Sequence, residues 1–189
     1  MSKRILIAGA GIGGLTAALA LVQQGFQVQV LEQAAVLGEV GAGLQLSPNA
    51  MRVLRALGLE SALIAQAFSP QNASIRHYQT GRYYLKLPLG EAVAERYGAP
   101  YLHIHRVDLH SVLVDAARAV GVDLVLNAKV AAYEESGQGV WVTLTNGERY
   151  FADVLIGADG VRSAVLQQMQ ASQGHDPQAP EFTGQVAWR

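Results

Sequence analysis

The chain of 189 residues contains no cysteine, which excludes disulfides, thiolate catalysis and every zinc or iron–sulfur site built on thiolates. Charge is also scarce. Only 15% of residues are charged, against roughly 25% in an ordinary globular chain, and the formal net charge is -1. So little charge on a half-hydrophobic chain excludes intrinsic disorder and favours a largely buried chain, or one with an uncovered interface. With a pI near 6.5 there is no electrostatic footprint for nucleic acid or for an anionic membrane surface. No internal repeat is visible, and no G-x-S-x-G sequence offers a serine nucleophile. The length suits one domain of ordinary size, or one domain with a small excursion.

A long uncharged run does exist, from Ile5 to Leu31, with Lys3 and Arg4 before it like the head of a signal peptide. Gly9 and Gly13 even form the G-x-x-x-G pair that packs membrane helices. Two features argue against a span. Gly9, Gly11, Gly13 and Gly14 crowd six positions, and each costs a helix interior about 1 kcal/mol relative to alanine. Beyond Val22 the run turns polar at Gln23, Gln24, Gln27 and Gln29. The sequence therefore reads as a cytoplasmic protein with no membrane span.

What is abundant is glycine, with 20 residues, and its placement is informative. Arg4 to Ala8 is an apolar run ended by glycine, the pattern of a buried parallel strand. Ile12, Leu15, Leu19 and Val22 recur at helical spacing until Gly25, and Gln27 to Leu31 reads as a second strand closed by Glu32. This is a right-handed βαβ unit in about thirty residues. A second glycine-rich stretch, 38–43, leads to Ser47 as N-cap and Pro48 as first residue of a helix running to Leu57, with Gly58 ending it. Ala73 to Leu87 is expected to be a hairpin turning at Thr80-Gly81, and Leu87 to Tyr101 a loop or short helix.

Leu109, Val112, Leu113, Ala116, Ala117 and Val120 define one face of a helix that starts at Arg106. A strand at Val122–Leu126 follows, then a hairpin from Lys129 to Thr145, and Asn146-Gly147 returns the chain through Arg149–Phe151. Asp153–Gly157 reads as another buried parallel strand, followed by a helix through Ala164–Met169. Ser172–Pro180 reads as a polar, mobile segment, and Phe182–Arg189 as the beginning of a strand. The expected strand order in the parallel sheet is Val122–Leu126, Gln27–Leu31, Arg4–Ala8, Asp153–Gly157, with the 129–145 hairpin covering one face.

Gly9-Ala10-Gly11-Ile12-Gly13-Gly14 matches G-x-G-x-x-G between a strand and a helix, where the motif has mechanical meaning. Gly9 allows the turn, Gly11 lets a pyrophosphate approach the backbone, and Gly14 lets helix and strand close up. The helix N-terminus presents N–H groups and a positive dipole end to the phosphates. Glu32 is placed to accept hydrogen bonds from both ribose hydroxyls of an adenosine, and its charge would repel a 2′-phosphate. Arg106, a cation at a helix start, is disfavoured by the macrodipole by roughly 0.3–1 kcal/mol, which a nearby anion would offset; pairing with Asp108 at the surface is the plainer alternative. Asp159-Gly160 ends a strand at the switch point of the sheet, where Asp159 can meet a nucleotide, cap the following helix, or do both. Gly41-Ala42-Gly43 is either a flexible loop or a place where backbone can lie close to a ligand that side chains would keep away. His103 and His105 share a strand face near His110, but no carboxylate completes a metal set, and no metal is expected.

A nicotinamide dehydrogenase would continue with a third βα unit soon after Glu32, whereas this chain inserts a glycine-rich loop, a helix and a hairpin. Four stretches, taken in order, resemble the class A flavoprotein monooxygenases, the family of the aromatic hydroxylases such as salicylate and hydroxybenzoate hydroxylases. They are the glycine motif with Glu32; Gly41 to Ala50; His105-Arg106-Val107-Asp108-Leu109; and Asp153 to Ser163. The resemblance implies an α/β fold with a Rossmann-like FAD-binding parallel sheet, a β-hairpin or meander layer, and the start of a substrate-binding domain. Residues 1–70 and 102–170 would form the FAD-binding domain, and 71–101 with 181–189 the start of the other.

It also implies FAD as cofactor, NADH or NADPH as electron donor, and O2 with a small phenolic compound as substrates. The cofactor contacts would be Gly9, Gly11, Ile12, Gly13, Gly14, Glu32, Ala42, Gly43, Arg106, Val130 and Asp159. By the same resemblance Arg106 lies against the FAD phosphate and ribityl region, Val130 on a strand whose backbone meets the adenine, and Asp159 between FAD and the nicotinamide donor. Tyr78, Tyr83 and Tyr84 would either face the aromatic substrate or pack the hairpin. Family members are longer, so the chain resembles their N-terminal part and would not turn over alone. No side chain is assigned as the oxygenating group, because the cofactor carries that chemistry. A homodimer is allowed but not demanded by the sequence. Two other functions stay open: a non-catalytic nucleotide-binding module acting with a partner chain, and another FAD oxidoreductase such as a halogenase, epoxidase or reductase.

Overall fold

The structure, a computed structural model, describes residues 2–38, 41–176 and 179–186. In chain order the first elements are β1 (Arg4–Ala8), α1 (Ile12–Gln23), β2 (Gln27–Leu31), β3 (Gly43–Leu46), α2 (Pro48–Ala56) and α3 (Glu60–Gln66). Then come β4 (Asn72–Arg76), β5 (Tyr83–Pro88), α4 (Gly90–Tyr97), β6 (Leu102–His105), α5 (Arg106–Ala119) and β7 (Asp123–Val125). The last are β8 (Val130–Ser136), β9 (Gly139–Leu144), β10 (Arg149–Ala152), β11 (Val154–Gly157) and α6 (Ala164–Ser172). They group into two compact units, Met1–Gly38 with Leu113–Arg189, and Glu39–Val112.

The first unit is built on a four-stranded parallel sheet in the order β11-β1-β2-β7, as the sequence predicts. The register places Ile5 beside Val28 and Val154, and Ile7 beside Val30 and Ile156. β1 is apolar and buried from Ile5 to Ala8, as a strand covered on both faces should be, and only Arg4 at its start is exposed. The antiparallel meander β10-β9-β8 contributes Val140, Val142, Leu144, Ala152 and Val130 to a buried cluster with Leu6, Ala8 and Leu31. α1 packs on β1 and β2, burying Gly14, Leu15, Ala18 and Leu19. Burying a leucine such as Leu15 or Leu19 stabilises by roughly 1.5–3 kcal/mol, while Gly14 and Ala18 let the helix come close to the sheet. α6 is pinned to the meander by Gln168, whose side chain accepts from Tyr133 N–H at 2.9 Å and donates to Tyr133 C=O at 2.6 Å.

The second unit holds two antiparallel pairs, β3 with β6 and β4 with β5. Gly43 lies opposite His105, and Gln45 opposite His103. The β4–β5 hairpin turns where the sequence places it, and every residue of its two strands is exposed. Tyr78, Tyr83 and Tyr84 are open to solvent, and the guanidinium groups of Arg76 and Arg82 lie over Tyr83 and Tyr84 at 4.0 and 5.7 Å from the ring centroids. α2 and α3 are tied by Arg55, which donates twice to Glu60 and once to the Gly98 carbonyl. The hydrogen bonds from Arg55 hold the Glu60 carboxyl below its ordinary range.

Several expectations are corrected. β11 is not a buried strand: among the described residues it pairs on one side only, and Val154 is 40% exposed. Val120 leaves the apolar face of α5, which ends at Ala119, and is half exposed; His110 and Val114 are buried instead. Ser47 holds the N-cap position of α2 without capping it, since its hydroxyl donates to Asn49 Oδ1. Phe182 to Val186 forms no strand and is exposed; 187–189 lie outside the described residues, as do 39–40 of the glycine-rich stretch and 177–178 of the polar segment. Among the described residues no helix is long and apolar enough to cross a membrane.

Candidate cofactor site

In open parallel sheets, ligands bind beyond the carboxyl ends of the strands. In the first unit that edge is formed by Gly9–Gly14 after β1, Glu32 after β2, and Ala158-Asp159 after β11. The glycines of the motif separate by what a side chain at each would meet. Gly9 has φ +104°, and a Cβ there would collide with the Ala158 carbonyl. Gly14 is helical, yet its Cβ would strike the Gly9 carbonyl oxygen and lie 3.4 Å from Ala158 Cβ. The fold itself therefore requires both glycines. Gly13 is different: a Cβ there meets nothing within 4 Å. Among the described residues nothing explains its missing side chain, while a ligand resting on the helix start would.

Gly11 is the N-cap of α1 in extended conformation, φ −72° and ψ 179°. Among the described residues no side chain caps this helix and no acid lies in its first turn, so no side chain there offsets its N–H groups and positive dipole end. Ile12 is the first helical residue. Glu32 turns toward the loop: Oε2 accepts from Ala10 N–H at 2.7 Å, and Oε1 from Ala34 N–H at 2.8 Å. An ionised carboxylate has about four acceptor positions, so two remain for hydroxyl donors. This arrangement fits a dinucleotide, with diphosphate at Gly11–Gly13 and a ribose at Glu32.

Asp159 caps α6. Its Oδ2 accepts from Ala164 N–H at 2.7 Å and Val165 N–H at 3.3 Å, and Oδ1 accepts from the Ser163 hydroxyl. Ser163 Oγ in turn accepts from Leu166 N–H at 2.9 Å. The start of α6 is thus occupied by its own side chains, and that of α1 is not. Val130 has its side chain in the buried cluster of the first unit. A cleft of about 440 Å³ beside Phe26 and Phe151 opens near Arg4, Gln27 and Asp123, at the amino ends of the strands and away from the nucleotide edge.

The second unit holds Ala42, Gly43 and Arg106. Ala42 C=O accepts from Arg106 N–H at 3.2 Å, and Val107 N–H donates to His105 Nδ1 at 3.3 Å. Among the described residues a Cβ at Gly43 would have one neighbour, Ile104 O at 3.9 Å, so none of them fills the space at Gly43, as none fills that at Gly13. His103 is flanked by Phe68 and Tyr101, with centroids 6.4 and 5.6 Å away.

The fold and the glycine edge define a Rossmann-type dinucleotide-binding protein. Residues 2–186 match the model of the FAD binding domain family, and the chain belongs to that family. It is 38% identical to a 6-hydroxynicotinate 3-monooxygenase of Pseudomonas fluorescens, over 100% of this chain and 47% of that protein. It is 40% identical to a 3-hydroxybenzoate 6-hydroxylase of Polaromonas naphthalenivorans, over 98% and 45%. The chain thus spans about half the length of these curated relatives. Among solved structures it is similar to 2-methyl-3-hydroxypyridine-5-carboxylic acid oxygenase, with TM-score 0.75 and 35% identity over 87% of this chain and 41% of the other. It is also similar to Klebsiella pneumoniae HpxO complexed with FAD and uric acid, with TM-score 0.78 and 28% identity over 88% and 41%.

Replacing Gly13 with alanine is expected to act oppositely on two observables. The open space and helical backbone predict a melting temperature unchanged or raised, since alanine favours a helix by up to about 1 kcal/mol. FAD affinity is expected to fall about tenfold or more, read by flavin fluorescence. Intact affinity would show that no ligand uses this space.

Proposed function

We propose that the chain holds FAD within a flavoprotein monooxygenase that hydroxylates a small phenolic or related aromatic compound, using NADH or NADPH and O2. The observation that carries this reading is the Glu32 carboxylate turned onto the Ala10 N–H beside an uncapped helix start, with Gly13 left open. In this proposal the first-turn amides of α1 bind the diphosphate, Glu32 accepts from the ribose hydroxyls, and the Val130 backbone lies at the adenine. Asp159, held rigid by its capping bonds, stands near the flavin side chain and the nicotinamide donor. Ala42, Gly43 and Arg106 form a second group of contacts. Bound FAD would supply the redox and oxygen chemistry; the chain orients it and excludes competing contacts.

The aromatic substrate class is supported by the names of the relatives, which are hydroxylases or monooxygenases of hydroxybenzoate and hydroxynicotinate. Residues 1–70 with 102–170 are proposed as the FAD-binding domain, and 71–101 with 181–189 as the start of a substrate-binding domain. A cytoplasmic location belongs to the same proposal. The test is to titrate the purified chain with FAD, then to assay the longer protein that contains it for NAD(P)H- and O2-dependent hydroxylation of phenolic acids. Saturable FAD binding and hydroxylated product are expected. A preparation that binds NAD and ignores FAD would overturn the assignment.

A further inference from the structure

Gly41 stands in the glycine-rich stretch where the sequence lets backbone lie close to a ligand, but its surroundings assign it elsewhere. Its φ lies outside the left-handed region, so backbone conformation does not require glycine there. Space does. A Cβ at Gly41 would fall 2.6 Å from Cδ, 3.0 Å from Cβ and 3.3 Å from Cγ of Arg106. These atoms are the stem of the arginine, not its mobile tip, so the stem would have to move. The neighbouring residues clasp the same place: Ala42 C=O takes the Arg106 N–H, and Gly43 pairs with His105 in the β3–β6 ladder. Three consecutive residues therefore grip the junction of β6 and α5, and Gly41 is the one that touches the arginine side chain.

We propose that Gly41 is a positioning residue for Arg106: by lacking a side chain it lets the arginine stem lie flat on the loop and so fixes where the guanidinium is presented to the anionic cofactor. This inference rests on the proposal that Arg106 contacts FAD. Gly41 and Gly43 thereby have different tasks, the first occupied by an internal side chain and the second left open. An alanine at Gly41 swings the guanidinium away while leaving its charge in the protein. Its effect is then a loss of electrostatic affinity that depends wholly on Arg106.

The test is a double-mutant cycle on FAD affinity, measured by flavin fluorescence at low and high salt. The variants are Gly41→Ala, Arg106→Gln and the two combined, with circular dichroism confirming the fold of each and Gly43→Ala as comparison. Each single substitution at 41 or 106 is expected to weaken FAD about tenfold at low salt and to flatten the salt dependence. The double variant should be no weaker than Arg106→Gln alone. The Gly43→Ala loss should persist at full size when Arg106 is replaced. Equal losses from Gly41→Ala with and without Arg106, or a salt dependence unchanged by Gly41→Ala, would overturn the positioning role while leaving Arg106 as a contact. FAD affinity untouched by Arg106→Gln would overturn both that contact and the inference. If Gly41→Ala disturbs the fold, the melting temperature of Gly41→Ala combined with Arg106→Ala decides the contact: removing the stem should restore the fold, and a fold disturbed equally with and without the stem would overturn the positioning role.

Discussion

Gly14→Ala is expected to destabilise the chain by about 3 kcal/mol, although alanine is the better helix former by about 1 kcal/mol. The new methyl group would meet the Gly9 carbonyl oxygen, and that carbonyl has nowhere to go. Gly9 N–H donates to Leu31 C=O at 2.7 Å, and Gly9 itself lies against the Ala158 backbone. The collision can be relieved only by lifting α1 off β1, which exposes Leu15 and Leu19 and moves the loop that receives the phosphates. Urea denaturation should show the midpoint falling at unchanged slope, with FAD binding lost in parallel. A stability equal to the parent chain would mean that helix and strand are not as close as described. Gly13→Ala, one position earlier, leaves stability unchanged or raised, and the pair of variants separates what the fold needs from what the cofactor needs.

Removing the acid at the end of β2 is the second large effect. Glu32→Ala is expected to weaken FAD binding roughly 30- to 100-fold, the scale of one or two hydrogen bonds to a charged group. It also removes the acceptor for Ala10 and Ala34 N–H, so a stability loss of about 1–2 kcal/mol should accompany it. Glu32→Gln is not a mild substitute. Both carboxylate oxygens already accept backbone N–H groups, and an amide offers one acceptor where two are needed, turning its NH2 toward a donor. Affinity for FAD should therefore fall in Glu32→Gln nearly as far as in Glu32→Ala. Retention of affinity in the glutamine variant would show that charge and double acceptance are not what the site uses.

The elements legible in the sequence are those whose signal is local. β1, α1 and β2 follow from an apolar run, a 3.6-residue period and glycine punctuation within thirty residues, and the sheet order follows from the handedness of such units. The β4–β5 hairpin and the β8–β9–β10 meander follow from turn residues, with Gly81 and Gly147 at positive φ where the chain reverses. What stayed hidden depends on distant partners. β3 is four residues long and begins with glycine, and it is a strand only because β6 lies beside it. α3 is seven residues, too short for its periodicity to register. β11 is as apolar as β1, so sequence alone cannot say that it lies at the border of the described sheet. Phe182–Val186 shows that an aromatic and a valine without a pairing partner do not make a strand.

The candidate site is legible in the sequence as a set of residues, not as the tasks they share. Glu32 and the four glycines follow from the motif, but their division of labour does not. Gly9 and Gly14 serve helix–strand contact, whereas Gly13 leaves open space. Asp159 was legible as a cap or a ligand; the structure shows the cap, through three donors on the Ser163–Val165 turn. Gly41 carried no sequence signal for Arg106, since the two are far apart in the chain and meet only once β3 and β6 pair. Sorting glycines by what a Cβ would strike is the step that composition and motif cannot supply.

The most direct test of the nucleotide edge is a backbone amide map of the chain titrated with ADP, which carries the diphosphate and ribose of FAD but no flavin. The N–H resonances of Gly11, Ile12 and Gly13 should shift together and saturate, and Ala10 and Ala34, tied to Glu32, should shift with them. The first-turn amides of α6, already held by Asp159 and Ser163, should move little. Saturating shifts that spare residues 11–13 and fall at α6 instead would contradict the account.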